Sequence, residues 1–167
     1  MSARGRLPSS CSKISELNAL SLETYSKKRR FQRTDEPSPH LRKEGRNRFV
    51  VQEHHARRLH WDFRLELDGV LKSWALPKGP PEEPGVRRLA VEVEDHPVDY
   101  IKFEGEIPEG EYGAGTVKIW DKGTFKLKRR TEDIYEFALR GKRLMGKYTL
   151  FRMKTNNWLM LKSREQR

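Results

Sequence analysis

The sequence predicts a mainly β protein, a compact antiparallel β-barrel with a short flanking helix at its N-terminus. Three observations lead there. From His60 to Leu67 apolar and ionisable residues alternate strictly, the period of a strand with two unlike faces. Asp68-Gly69 then gives a tight hairpin signal, and VLKSWAL (70–76) returns as a second strand. Beyond residue 115 short strand-like runs alternate with turn signals and no long helix intervenes, the pattern of a closed or nearly closed antiparallel sheet.

Taken in order, residues 1–13 are basic, small and polar and read as a disordered tail, while Ile14, Leu17, Leu20 and Tyr25 make the apolar stripe of one short helix. The chain therefore divides into a tail with a helix over 1–24 and a single domain over 25–167. KKRRF (27–31) is a basic patch, and DEPSPHLRKEGRN (35–47), broken by Pro and Gly, reads as a mobile loop. In the run from Leu89, Leu89, Val91 and Val93 face the core while Glu92, Glu94 and His96 share the other face, until Pro97 stops the ladder. GEIPEGEYGAG (105–115) has neither of the common phosphate-loop spacings and reads as a bulge or barrel corner. Strands are expected at 116–120, 124–129, 134–139, 146–153 and 158–162, with turns at 121–123, 140–142 and 155–157.

Chemistry concentrates in FVVQEHHARRLHWDFRLELDG (49–69). Alternation puts Trp61, Phe63, Leu65 and Leu67 on a core face and His60, Asp62, Arg64 and Glu66 on a wet one. Phe49 and Val51 face the core in the preceding run, so Gln52 and His54 share the wet face, and this parity favours His54 over His55. His60 and Asp62 lie about 7 Å apart along such a strand, close enough to reach one ion. With His54 they make a two-His, one-carboxylate set suited to Mn²⁺, Fe²⁺ or Zn²⁺. The plain alternative is a solvated strand whose His and Asp pair with neighbouring charges.

Lys and Arg number 35 against 24 Asp and Glu, a net charge of +11, so a polyanion is the natural partner. The single cysteine, Cys11, forms no internal disulfide, which fits a reducing compartment. No run has the apolar length of a membrane span or signal peptide, so no membrane partner and a cytoplasmic location are expected.

Four blocks resemble a known family: QEHHARRLHWDFRLELDGVLKSWALPKGP (52–80), LAVEVEDHPVDY (89–100), FEGEIPEGEYGAG (103–115) and, less closely, YSKKRRFQRTDEP (25–37). The family is the 3′-phosphoesterase domain of bacterial DNA ligase D and its free-standing homologues. The resemblance implies a β-barrel hydrolase of DNA repair, a nuclease-like phosphoesterase that heals 3′ ends at a primer–template junction. A terminal ribonucleoside is removed to leave a 3′-phosphate, which is then hydrolysed to a 3′-hydroxyl. It implies Mn²⁺ as activator, with Zn²⁺ or Co²⁺ as substitutes, and a DNA ligase or polymerase acting in trans. It also brings Arg29 and Glu36 to the border of the active site and Tyr100 into it. At Arg30 the sequence departs from the family's usual acid, which predicts a protein that stalls at the 3′-phosphate.

The resulting assignment gives the metal to His54, His60 and Asp62 and the phosphate clamp to Arg64, whose planar fork matches phosphate oxygens. His96 carries the proton or contacts the phosphate, Gln52, Glu94 and Tyr100 support, and Arg29 and Glu36 border the phosphate and nucleic acid. Two competing readings are a nucleic-acid-binding barrel without catalysis and a site for a small-molecule phosphodiester or an oxidative iron reaction. Trp61, Phe63 and Trp74 lie on apolar faces or in mixed runs rather than as a wet stacking platform, which disfavours the first. Basicity and Arg64 favour phosphate over oxygen chemistry.

Overall fold

Period-two alternation is realised as nine antiparallel strands in a computed structural model that describes residues 22–39 and 45–164. They are β1 (Arg48–His55), β2 (Leu59–Leu67), β3 (Val70–Leu76), β4 (Arg87–Pro97), β5 (Gly105–Ile107), β6 (Gly115–Arg130), β7 (Ile134–Arg140), β8 (Met145–Lys154) and β9 (Asn157–Lys162). Hydrogen bonding runs β1-β2-β3-β4-β9-β8-β7-β6 and returns from β6 to β1, closing eight strands into a barrel with β5 added on β6. Closure leaves these eight without a free edge for another chain to pair with. The Asp68-Gly69 hairpin is realised with positive φ at both residues, 56° and 77°, the geometry of the two-residue turn whose twist matches its strands. No described helix is long and apolar enough to cross a membrane.

Two apolar layers flank the β1–β3 wall. Inside the barrel Phe49, Val51, Phe63, Leu65, Trp74 and Leu76 pack with Phe137, Tyr148, Leu150 and Trp158. Outside it Val50 and Leu71 pack with Tyr25, Tyr100, Ile101, Phe103, Ile107 and Val117. That outer layer is built by a helical turn over 22–27, a 3-10 turn at Val98–Lys102 and β5, all folded onto the sheet. Its presence corrects the expectation of a wet face. Asp62, Arg64 and Glu66 are 6%, 3% and 1% exposed, because a second layer covers the polar side of β2.

Other expectations change for local reasons. Residues 121–123 are not a turn: β6 runs through them, and the Asp121 carboxylate instead accepts the backbone N–H groups of Lys142, Arg143 and Leu144 in the β7–β8 turn. Trp120 is left without an opposite residue where the register against β1 shifts at Val51/Gln52. In β4 the core-facing residue is Ala90, while Leu89 is 41% exposed and Val93 lies opposite Ser73 on the outer face. A register shift between Leu71 and Ser73 then returns His96 to that outer face opposite Leu71. The turns at 140–142 and 155–157 separate β7, β8 and β9 as expected, give or take a residue. Of the 35–47 loop, residues 40–44 lie outside the described residues, as do Ile14, Leu17 and Leu20 of the expected helix. The described part is pinned: Glu36 is buried and the Pro37 carbonyl accepts the Tyr25 hydroxyl at 2.6 Å.

Candidate active site

The site lies on the outer face of β1–β3, under the second layer. Antiparallel register sets it, since His54 pairs directly across from His60, Gln52 from Asp62 and Val50 from Arg64. His54 Nδ1 and His60 Nε2 lie 3.5 and 3.4 Å from the same oxygen, Asp62 Oδ2, and one ligand atom from each of the three falls within 4.8 Å of the others.

The remaining ring nitrogens are committed. His54 Nε2 is 2.6 Å from the Gly113 carbonyl and His60 Nδ1 is 3.0 Å from the Arg58 carbonyl. A carbonyl only accepts, so each of these nitrogens carries a proton and, in the neutral ring, the other turns its lone pair toward Asp62. Two lone pairs and a carboxylate converging on one point repel one another unless a cation stands between them. The donor set therefore fits a divalent metal, with backbone carbonyls holding the rings as outer-shell partners commonly do. Gly113 owes its place to φ +77°, and a Cβ there would stand 3.4 Å from His54 Cε1.

Burial by itself would raise the Asp62 pKa, but the Arg64 guanidinium, and hydrogen bonds from His54 and His60 when those rings turn a proton toward it, outweigh burial and hold the carboxyl well below its usual range. When no cation stands between them, a second proton on His60 Nε2 donates to Asp62, and that bond, opposed by burial, raises the His60 pKa. Arg64 is 3% exposed, and its Nε donates to Gln52 Oε1 at 2.7 Å and its Nη1 to Ser73 Oγ at 2.8 Å. Its Nη2 lies 3.5 Å from Asp62, which leaves one N–H on each terminal nitrogen without a named partner.

A second charge group faces the first. Arg29 donates through Nε to Glu36 at 2.8 Å, approaches Glu94 through Nη1 at 3.4 Å and stacks its guanidinium 3.9 Å from the Tyr25 ring centroid. Its Nη2 is 3.3 Å from His96 Nε2. His96 Nδ1 donates to the Glu94 carbonyl at 2.8 Å, so Nε2 is the unprotonated nitrogen and accepts from Arg29. Burial, then the positive charges of Arg64 and Arg29, push the His96 pKa well down and keep the ring neutral. Tyr100 donates to Glu36 at 2.8 Å, and burial raises its pKa well above the usual value.

These residues enclose a cleft of about 290 Å³. His54, His60, Asp62, Arg64, Arg29, Glu94, His96 and Tyr100 all border it. Gln52 and Glu36 stand behind its wall. Gln52 is fully buried and spends both amide hydrogens on the Tyr100 and Phe103 carbonyls, so it ties Arg64 to the 3-10 turn rather than facing the cleft. His55 turns away and pairs with Glu53 at 2.6 Å. Arg30 lies outside the cleft wall and forms a two-point ion pair with Glu111, at 2.8 and 3.3 Å.

Several participants were not singled out in the sequence. Ser73, Tyr25, Lys28 and Tyr112 enter through tertiary contact alone, Lys28 by donating to both Glu94 and the Tyr112 hydroxyl at 3.2 Å. Ser73 had a signal, being the one small hydroxyl in the strand paired with β2. The carbonyls of Gly113 and Arg58 had none, because backbone groups carry no sequence identity.

Residues 52–152 match the family described as the DNA ligase D 3′-phosphoesterase domain. The multifunctional non-homologous end joining protein LigD of Pseudomonas aeruginosa is 49% identical over 156 residues, covering 86% of this chain and 19% of that protein. The LigD proteins of Mycobacterium tuberculosis and Mycolicibacterium smegmatis are 46% and 44% identical, over 87% of this chain and 20% and 21% of their own lengths. The chain thus spans about one fifth of the length of these relatives.

Proposed function

The chain belongs to the DNA ligase D 3′-phosphoesterase domain family, and from that membership we propose that it heals DNA 3′ ends in two hydrolytic steps. The first breaks the P–O5′ bond to a terminal ribonucleoside and leaves a 3′-phosphate; the second breaks the P–O3′ bond and leaves a 3′-hydroxyl. Its relatives are named as non-homologous end joining proteins, and the same context is proposed here, in the cytoplasm, with a ligase or polymerase acting separately.

The observation that carries the reading is the pairing, in one cleft, of the His54–His60–Asp62 group with the guanidinium groups of Arg29 and Arg64. His54, His60 and Asp62 would hold a divalent ion, Mn²⁺ in the first instance, which when bound supplies positive charge to the phosphoryl oxygens. Arg64 serves twice, keeping Asp62 ionised and offering its remaining N–H groups to the phosphate. Arg29 approaches from the opposite wall on a base fixed by Glu36 and Tyr25. Such preorganised donors stabilise charge without reorganising at the moment of reaction.

His96 begins neutral with its lone pair on Nε2. It therefore accepts a proton from the attacking water as the phosphate draws Arg29 toward itself, then returns that proton to the leaving oxygen. Glu94 fixes the ring through its carbonyl and Tyr100 lays its ring against the Arg64 guanidinium, 4.9 Å from the ring centroid. Gln52 and Glu36 act as positioning residues. Arg30 sits outside the cleft, and the proposal is that phosphate removal lags behind nucleoside removal for want of an acid there.

A primer labelled at its 5′ end, terminated by one ribonucleotide and annealed to template, tests this with Mn²⁺, Mg²⁺, Zn²⁺ or chelator. A metal-dependent 3′-phosphate followed by a slower 3′-hydroxyl is the expected sequence of products. No turnover with any metal would leave a nucleic-acid-binding barrel in its place.

A further inference from the structure

The cleft is larger and less polar than a phosphate requires. Its roughly 290 Å³ would hold on the order of ten waters at about 30 Å³ each. Beside the charged residues its wall includes Ala56, Ala75, Val93, Ile107 and Tyr112.

Tyr112 differs from the other tyrosines near the site. Tyr25 and Tyr100 are 0% and 2% exposed, whereas Tyr112 is 48% exposed, so packing does not account for its ring. Two cations fix it in place: Lys28 Nζ donates to its hydroxyl at 3.2 Å and lies 4.5 Å from the ring centroid, and the Arg29 guanidinium lies 5.6 Å away. It directly precedes Gly113, whose carbonyl holds His54. The exposed ring is thereby tied by one peptide unit to the group that would hold the metal.

We propose that Tyr112 is a platform on which the terminal nucleobase of the 3′ end stacks, so that the cleft binds the departing nucleoside as well as the phosphate. This rests on the reading of the cleft as a 3′-end phosphoesterase site. A pre-oriented aromatic face binds any base, because every base has a π-face, and stacking of this kind gives affinity without sequence preference. Basic side chains beside the ring suit it further, since the nucleoside arrives with a phosphate attached.

The test separates base from phosphate and binding from turnover. Primer–templates ending in a 2-aminopurine ribonucleoside, or in a ribose without a base, are titrated with wild type, Tyr112→Ala and Tyr112→Phe in chelator, reading Kd and 2-aminopurine fluorescence. Wild type should quench the terminal base. Tyr112→Ala should lose the quench and weaken binding of the base-bearing end roughly fivefold or more, with a much smaller change for the baseless end. Tyr112→Phe, which keeps the ring and loses the bond to Lys28, should retain the quench. Equal weakening of both ends in Tyr112→Ala, or an unaltered quench, overturns the proposal. Quenching that depends on Tyr112 in a protein that hydrolyses nothing when Mn²⁺ is restored would sink the phosphoesterase reading and leave the platform standing. Failure of wild type to bind either primer would sink both.

Discussion

Asp62 is the residue on which the two imidazoles and the Arg64 guanidinium converge, since His54, His60 and Arg64 all lie within 3.5 Å of its Oδ2. Asp62→Ala and His60→Ala should therefore lose divalent-metal binding and both hydrolytic steps together, which calorimetric titration and the primer assay read in parallel. His55→Ala should stay near wild type, its ring being turned toward Glu53. His96 makes a separate prediction about pH. Its folded pKa lies well below that of an exposed histidine, so below about pH 6.5 the unfolded chain binds a proton that the folded protein does not. Stability then falls as pH falls through that window. His60 works in the opposite sense, its raised pKa favouring the fold at low pH and that contribution fading as pH rises. The decisive comparison is wild type against His96→Gln in chelator. The variant should show a shallower loss of denaturation midpoint between about pH 7 and about pH 5.5.

Elements hold the site by their ends as much as by their faces. β6 begins at Gly115, with φ +140°, where a Cβ would collide with the His55 carbonyl. Gly115→Ala should cost about 2–3 kcal/mol of stability, read by denaturant unfolding, and should weaken metal binding by moving the end of β1 that carries His54. The Arg30–Glu111 pair ties the segment after the first helical turn to the loop carrying Tyr112 and Gly113. Arg30→Asp places two carboxylates together there. Restoring the family's usual acid should therefore loosen this loop and lower metal affinity, even if it speeds phosphate removal. Timing both products beside a metal titration separates the two effects, and faster phosphate release at unchanged metal affinity would contradict the loop argument.

At the scale of the molecule, the closed barrel is the support, and residues 22–39 with the 3-10 turn and the loop before β6 are the cover that completes the cleft. Because His54 and His60 come from neighbouring strands of the closed sheet, a metal bound between them stabilises the whole fold by mass action. At a hundredfold excess over Kd this amounts to about 2.7 kcal/mol, or on the order of 5–10 °C in Tm for a domain of this size. Thermal scans with Mn²⁺ and with chelator should differ by that margin in wild type and coincide in His60→Ala. The net charge of +11 predicts in addition that affinity for primer–template falls steeply with salt.

What the sequence determined by itself was whatever depends on neighbours along the chain. Strand parity put His54, His60, Asp62 and Arg64 on one side of β1 and β2, and Asp68-Gly69 set the following hairpin. Both are local, since side-chain direction alternates with every residue and a tight turn needs only its own backbone angles. Parity failed in β4, where the partner strands decide which face is which: Leu89, Val91 and Val93 keep their alternation but on the outer face, and a register shift then brings His96 to that same face. Only the tertiary structure decided that the polar face is buried, that Gln52 and Glu36 stand behind the cleft, and that the Gly113 carbonyl chooses the His54 tautomer. These outcomes depend on a second layer folding back across the sheet, and contacts between segments distant in sequence leave no period in the chain from which to read them.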